Sequence, residues 1–241
     1  MKLYKYRDLS NPGGDEIQRL KTMLRRQTFW CARPDSLNDP EEFAWKCEYE
    51  TTEDTLDLLV EVLVRVNGRT REQARERVTA AVASGRLELL AKPAITAMIQ
   101  QCRNKVGLVC FGASPENSIL WQRYGGNGAG VCIELEVPAD LLENQLYEVK
   151  YLNAKVIHIN QIMRAFLDPN HVREVYSLAF LSKPSCWASE AEFRFISKRQ
   201  EVLVGFDRSQ ITGLTFGDAL TTDVRRRIEH IVDCLPYVLL I

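Results

Sequence analysis

From about Thr52 to Asn104 apolar residues recur at helical spacing, while on both sides of that run they alternate. Leu56, Leu59, Val60, Leu63 and Val64 make one apolar helical stripe, Arg71 to Ala83 is charged and alanine-rich, and Leu87 to Cys102 continues helically around Pro93. A pattern of period 3.6 buries one face of a helix and a pattern of period 2 buries one face of a strand, so the chain must form both kinds of element. Leu3-Tyr4-Lys5-Tyr6 alternates and predicts a first strand. Ile17, Leu20, Met23 and Leu24 predict a helix from Asp15, with Asp15 or Asp8 as its cap, and Thr28 to Ala32 a second strand. Strands are expected again at Val106 to Phe111, Gly130 to Val137, 191–198, 201–206, 211–216 and Tyr237 to Ile241, with Leu146 to Leu152 as the neighbour of the Gly130 strand. Helices are expected near 158–167, 171–181 and 221–233. Ser114-Pro115-Glu116 has a hydroxyl cap, a proline at the first position and an acid near the positive end, so it predicts a helix start, and Gly125-Gly126 its stop. Strands and helices alternate without βαβ regularity, which argues for an α+β fold around a largely antiparallel sheet. The expected organisation is one domain over 1–241 with a helical insertion at 52–104.

A net charge of −1 leaves no global basic field to recruit nucleic acid or a membrane. The seven cysteines are odd in number and dispersed, with no C-x-x-C pair, which argues against a disulfide framework and a zinc site; with three histidines, a metal site would need mostly carboxylates. No apolar run reaches membrane-spanning length, and Met1 to Arg7 has no apolar signal core. The expected setting is a reducing cytoplasm without a membrane.

Five groups of residues are candidates for chemistry. Asn38-Asp39-Pro40-Glu41-Glu42 follows a strand; it reads as a well-made turn with solvated acids, or as a place where Asn38 or Asp39 holds a ligand. Trp121 and Tyr124 lie three apart on one helix face, as core or as a ligand platform. The loop Gly125-Gly-Asn-Gly-Ala-Gly130 admits a close backbone approach but lacks Gly-Lys-Ser/Thr and precedes a strand. Arg7 ends the first strand, as a surface ion pair or as the fork that grips a phosphate. In Trp187-Ala-Ser-Glu190-Ala-Glu192-Phe-Arg194-Phe, alternation sends Ala191, Phe193 and Phe195 to one face and Glu192 and Arg194 to the other. Glu190, Glu192 and Arg194 are then an ion pair setting strand register, or a set in which one glutamate is a general base or stabilises a developing cation. No Ser or Cys sits on a nucleophile elbow.

Taken in order, several short strings resemble a bacterial family known as domain of unknown function 2971, over nearly the whole chain outside 52–104. They are Leu3-Tyr-Lys-Tyr-Arg7, Pro34-Asp-Ser-Leu-Asn-Asp-Pro40, Cys110-Phe to Ser114, Leu120-Trp-Gln-Arg-Tyr124, Gly130-Val-Cys-Ile-Glu134, Lys183 with Trp187, Glu190-Ala-Glu192-Phe-Arg194, and Gly213-Leu-Thr-Phe-Gly217. The opening strand, helix and strand also look like the start of ADP-ribosyltransferase-like folds. That resemblance implies a split, mostly antiparallel sheet gripping NAD, with Arg7 as cofactor contact, Tyr124 or Trp121 stacking on nicotinamide, and Glu190 or Glu192 as catalytic acid. The string Glu190-Ala-Glu192 stands where those folds carry a Gln/Glu-x-Glu loop, and no Ser-Thr-Ser-like string follows a middle strand. The implied function is a NAD-using transferase or glycohydrolase acting as a toxin or phage-defence effector. The alternatives are a non-catalytic module sensing a nucleotide or partner, with the Leu56-Leu59-Val60-Leu63 stripe as a homodimer or effector surface, and a nuclease holding Mg²⁺ on Asp39, Glu41, Glu190 and Glu192.

Overall fold

Alternation along Lys2–Asp8 places Leu3 in one apolar core and Tyr6 in another. The computed structural model describes residues 1–11, 15–39, 46–138, 145–205 and 211–241; Pro40, Glu41, Glu42 and residues 12–14 lie outside the described residues. The first elements are β1 (Lys2–Asp8), α1 (Glu16–Arg26), β2 (Thr28–Cys31), β3 (Lys46–Glu48), α2 (Glu53–Asn67), α3 (Arg71–Ala83) and α4 (Leu87–Arg103). Next come β4 (Gly107–Gly112), α5 (Ser118–Tyr124), β5 (Gly130–Glu136), β6 (Leu146–Glu148), β7 (Lys150–Leu152), β8 (Val156–His158), α6 (Ile159–Leu167) and α7 (Val172–Phe180). The chain continues through β9 (Ser182–Pro184), β10 (Glu192–Ser197), β11 (Val202–Gly205), β12 (Ile211–Phe216), α8 (Thr222–Asp233) and β13 (Leu239–Leu240). Contacts divide these elements into two compact units, Met1–Arg33 with Val106–Val149 and Cys186–Ile241, and Pro34–Lys105 with Lys150–Ser185. The fold is mixed α+β with a mostly antiparallel sheet. The helical run at 52–104 belongs to a unit that also takes in 34–51 and 150–185.

The first unit carries a seven-stranded sheet in the order β13-β12-β5-β1-β4-β10-β6, antiparallel except where β13 joins β12. On one face Leu3, Ile133, Val109, Phe111 and Phe195 bury against Ile17, Leu20 and Leu24 of α1 and Val224 and Ile228 of α8. On the other, Tyr6 and Cys132 bury against Leu120 of α5, with Tyr4, Trp121 and Tyr124 packed beside them. Residues one apart on a strand point to opposite faces, so Leu3, Lys5 and Arg7 share the α1 side while Tyr4 and Tyr6 share the α5 side. β1 pairs with β5 over its whole length, from Lys2↔Glu136 to Asp8↔Gly130, but meets β4 at the single position Tyr4↔Gly112. Two other contacts serve that edge of β4. Leu108 exchanges two backbone hydrogen bonds of 2.9 Å with Ala32 beyond β2, and Lys5 Nζ donates to the Cys110 carbonyl at 2.9 Å. The lysine thus supplies the rung that the parted strands do not, since a buried carbonyl needs a donor. Burial lowers the pKa of its ammonium, with Arg7 adding to the effect and the Cys110 and Glu192 side chains opposing it.

Leu146 to Leu152 does not join the Gly130 strand. β6 pairs with β10 on the far edge of the sheet, and β7 pairs in parallel with β9 in the second unit. The break at Val149, whose N–H goes to the Glu192 carbonyl, splits an alternation that reads as one strand.

In the second unit the three expected helices form. Thr52 caps α2 by accepting from the Thr55 N–H, Gly68 ends it at φ 62°, and Thr70 with Gln73 makes a capping box on α3. α2 lies along α6, where Thr55 donates to Asn160 at 2.7 Å and Arg164 pairs with Asp54 at 2.9 Å. Leu59, Val60 and Leu63 are buried. Of the stripe read as a homodimer or effector surface, these three residues are thus turned into the unit and Leu56 is half-buried, as expected of an amphipathic helix packed against helices of its own chain. No helix is long and apolar enough to cross a membrane, among the described residues.

Glu134 illustrates how polar groups are held at the sheet surface. Its carboxylate accepts from Thr212 at 2.8 Å, Lys2 at 2.9 Å and Tyr4 at 3.3 Å. Burial pushes its pKa up, but the donors outweigh burial and hold it below the ordinary carboxylate value. The unfolded chain therefore protonates Glu134 first, so its contribution is complete above the unfolded value and is lost as pH falls through the folded one. Glu134→Gln is expected to flatten that part of the acid limb. Urea unfolding between about pH 3 and pH 6 reads it, and an unchanged slope would refute it.

Candidate functional site

The α5 helix carries the aromatic pair and is seated by a glycine. A methyl group at Gly112 would run into Leu120 Cδ1, so the bare backbone of β4 lets α5 lie down on the sheet. The helix begins at Asn117 and not at Ser114. Asn117 Oδ1 accepts from the N–H groups of Ile119 and Leu120, while Ser114 Oγ accepts from the Glu116 N–H and closes a turn one step earlier. Both patterns satisfy free donors, and the asparagine is the one adjacent to the helix. Trp121 Nε1 donates to the Pro115 carbonyl at 2.8 Å, and its ring meets Tyr6 edge-on with centroids 5.1 Å apart. Tyr6 in turn donates to the Ser114 carbonyl at 2.6 Å.

The acidic string is tied to this helix. Ser185–Glu190 forms a 3₁₀ turn, and Asn117 Nδ2 donates to the Ser189 carbonyl at 2.7 Å. Glu190 is 1% exposed; its Oε1 accepts from Arg123 Nη1 at 2.8 Å and from the Tyr124 hydroxyl at 3.1 Å. The Arg123 guanidinium also lies 4.2 Å from the Trp187 ring centroid. Glu190 and Tyr124, both candidates from sequence, are thus brought together, and their bond latches the 185–190 turn onto α5. Ala191 then takes φ 45°, an uncommon value for a residue with a Cβ, and lies outside the strand instead of sharing a face with Phe193 and Phe195. Beyond it Glu192 and Arg194 share the α5 side of β10, opposite Gly112 and Cys110. Arg194 Nε donates to Glu192 Oε1 at 2.7 Å and Nη2 to Oε2 at 3.2 Å, a forked pair of which the arginine is 1% and the glutamate 5% exposed.

Arg7 goes elsewhere. Its guanidinium pairs with Glu16 of α1 at 2.6 Å, and Arg19 pairs with the other oxygen of the same carboxylate at 2.7 Å. It stands on the α1 side of β1, whereas Trp121 and Tyr124 pack on the Tyr4–Tyr6 side, so the expected cofactor grip does not meet the expected stacking aromatics within this unit. Asn38 is exposed and Asp39 buried; both follow a 3₁₀ turn, Pro34–Ser36, in the second unit. Among the described residues no group of three or more His, Cys, Asp or Glu side chains gathers to hold a metal, and Glu41 lies outside them.

The glycine loop approaches the protein's own backbone. A methyl group at Gly130 would run into the Arg7 carbonyl oxygen, and one at Gly217 into the carbonyl oxygen of Gly128. The Gly217 N–H donates to Gly130, and the Ala219 N–H to Gly128. This bracing holds one side of a cleft of about 490 Å³, whose wall runs from Pro115, Glu116 and Ser118 through Trp121 and Gln122 to Asn127, Gly128 and residues 215–219. That volume lies within the range of small-ligand sites, roughly 300–1,000 Å³. None of Glu116, Gln122, Asn127 and Asp218 was a site candidate in the sequence: Glu116 entered as the acid of a helix start, Gln122 within the Leu120–Tyr124 string, Asn127 as the interruption of the glycine loop, and Asp218 only as the residue after the Gly213–Gly217 string. The thiol of Cys110, opposite Arg194 on β4, is pushed up to about 12, chiefly by burial and then by Glu192, and so stays protonated. No family model, no curated protein and no solved structure matches the chain.

Proposed function

We propose that the protein is a recognition module that senses a small ligand or a protruding side chain in the cleft beside Trp121. The observation that supports this reading is the engagement of its candidate catalytic groups. Glu190 is held by Arg123 and Tyr124, Glu192 by Arg194, and Arg7 by Glu16 on the other side of β1. What the first unit leaves open is a preformed cleft with one indole and several uncommitted polar groups, an arrangement suited to binding. Titrating Trp121 fluorescence with nucleotides, NAD, ADP-ribose and small organic cations tests it. At least one is expected to shift the emission in the wild type and not in Trp121→Phe; no response from any of them would count against the reading.

The second reading is a NAD-using, ADP-ribosyltransferase-like enzyme of a toxin or phage-defence system. It is favoured by one feature, the parting of β1 from β4 after a single rung, together with a late glutamate beside an aromatic. In that reading a carboxylate of Glu190 or Glu192 stabilises the oxocarbenium-like charge that develops as the nicotinamide bond breaks. Incubation with labelled NAD and cell lysate separates the two. Free nicotinamide or label transfer that Glu190→Gln and Glu192→Gln abolish would favour the enzyme, and binding without turnover favours the module.

A further inference from the structure

We infer that the cleft beside Trp121 selects an organic cation, a guanidinium or alkylammonium group on an apolar stem; this rests on the recognition reading above. The described wall carries two carboxylates, Glu116 and Asp218, and no Lys or Arg. Trp121 has already spent its N–H on the Pro115 carbonyl, so toward a ligand the indole offers only its π surface, which attracts cations. Gln122 and Asn127 add amide oxygens that accept from a charged N–H. A pyrophosphate or other anion would meet two carboxylates and no counter-charge on this wall. The cation is either a free amine or the arginine side chain of a partner polypeptide.

Calorimetric titration of the full chain with agmatine, an acetylated arginine tripeptide amide and ADP-ribose decides the matter. Agmatine and the peptide are expected to bind, ADP-ribose not. Glu116→Gln and Asp218→Asn sit on the surface and leave the fold intact; together they are expected to weaken cation binding at least tenfold. In Trp121→Phe the smaller π surface is expected to weaken it severalfold. Equal affinity for agmatine and peptide assigns the site to a free cation, and binding of the peptide alone assigns it to a polypeptide partner. Binding of ADP-ribose with no response to either cation would overturn the charge preference while leaving the recognition reading intact. Silence from all three ligands, or cation binding indifferent to both carboxylate substitutions, would overturn the inference.

Discussion

Arg194→Met is expected to cost the first unit about 3–5 kcal/mol, because it removes the forked cationic partner of a Glu192 carboxylate that is 5% exposed. Glu192→Leu is expected to cost a similar amount by removing the acceptor of the guanidinium's two forked bonds at 2.7 and 3.2 Å. The double variant should lose less than the sum, since neither charge then remains to be solvated. Guanidinium unfolding or calorimetry measures this, and each single variant should lower the melting temperature of the unit on the order of 10 °C. Strict additivity would mean that the two residues are stabilised independently, and the buried pair would then not be what secures β10.

Glu190→Ala is expected to release the 185–190 turn from α5. The bonds to a buried carboxylate from Arg123 and Tyr124 are among those lost, and Arg123 is itself 37% exposed, so water compensates part of the loss. The expected cost is about 2 kcal/mol. The consequence reaches the cleft, because Trp121 and Gln122 project from the helix that the turn holds. Amide exchange should quicken in α5 while α1 and α8 keep their protection, and ligand response at Trp121 should weaken in parallel. Glu190→Gln, which retains an acceptor for Tyr124, should recover part of both. Loss of catalysis without any change in α5 exchange would assign Glu190 to chemistry and not to the latch.

Local elements were legible where one physical signal decided them. The helical spacing of Leu59, Val60 and Leu63 predicts α2, and Thr52 and Thr70 are the hydroxyls that cap α2 and α3. Competing signals failed where two served equally: Ser114 and Asn117 both accept backbone N–H groups, and it is Asn117 whose side chain meets the first turn of α5. Strand alternation already placed Arg7 with Leu3 and away from Tyr4 and Tyr6, so its opposite face was readable; adjacency in the string suggested otherwise. Pairing between distant strands was not readable at all. The single rung between Tyr4 and Gly112, and the lysine that answers Cys110, depend on which edges meet after some hundred intervening residues. The cleft was hidden for the same reason, since its walls come from a turn before α5 and another after β12.

The arrangement of β1 bears on how the chain is made. Its side-chain bonds reach across 108 positions from Tyr6 to Ser114 and across 130 from Tyr4 to Glu134. A ribosome adding residues at typical speed needs ~10 s to synthesise that much polypeptide. Throughout that interval the strand that will stand at the centre of the sheet emerges with both edges bare, while the segment made in the meantime is largely helical and belongs to the other unit. β1 is thus made long before the strands it pairs with, and a chaperone that shields the segment from β1 to β2 would have work to do until β4 and β5 are available.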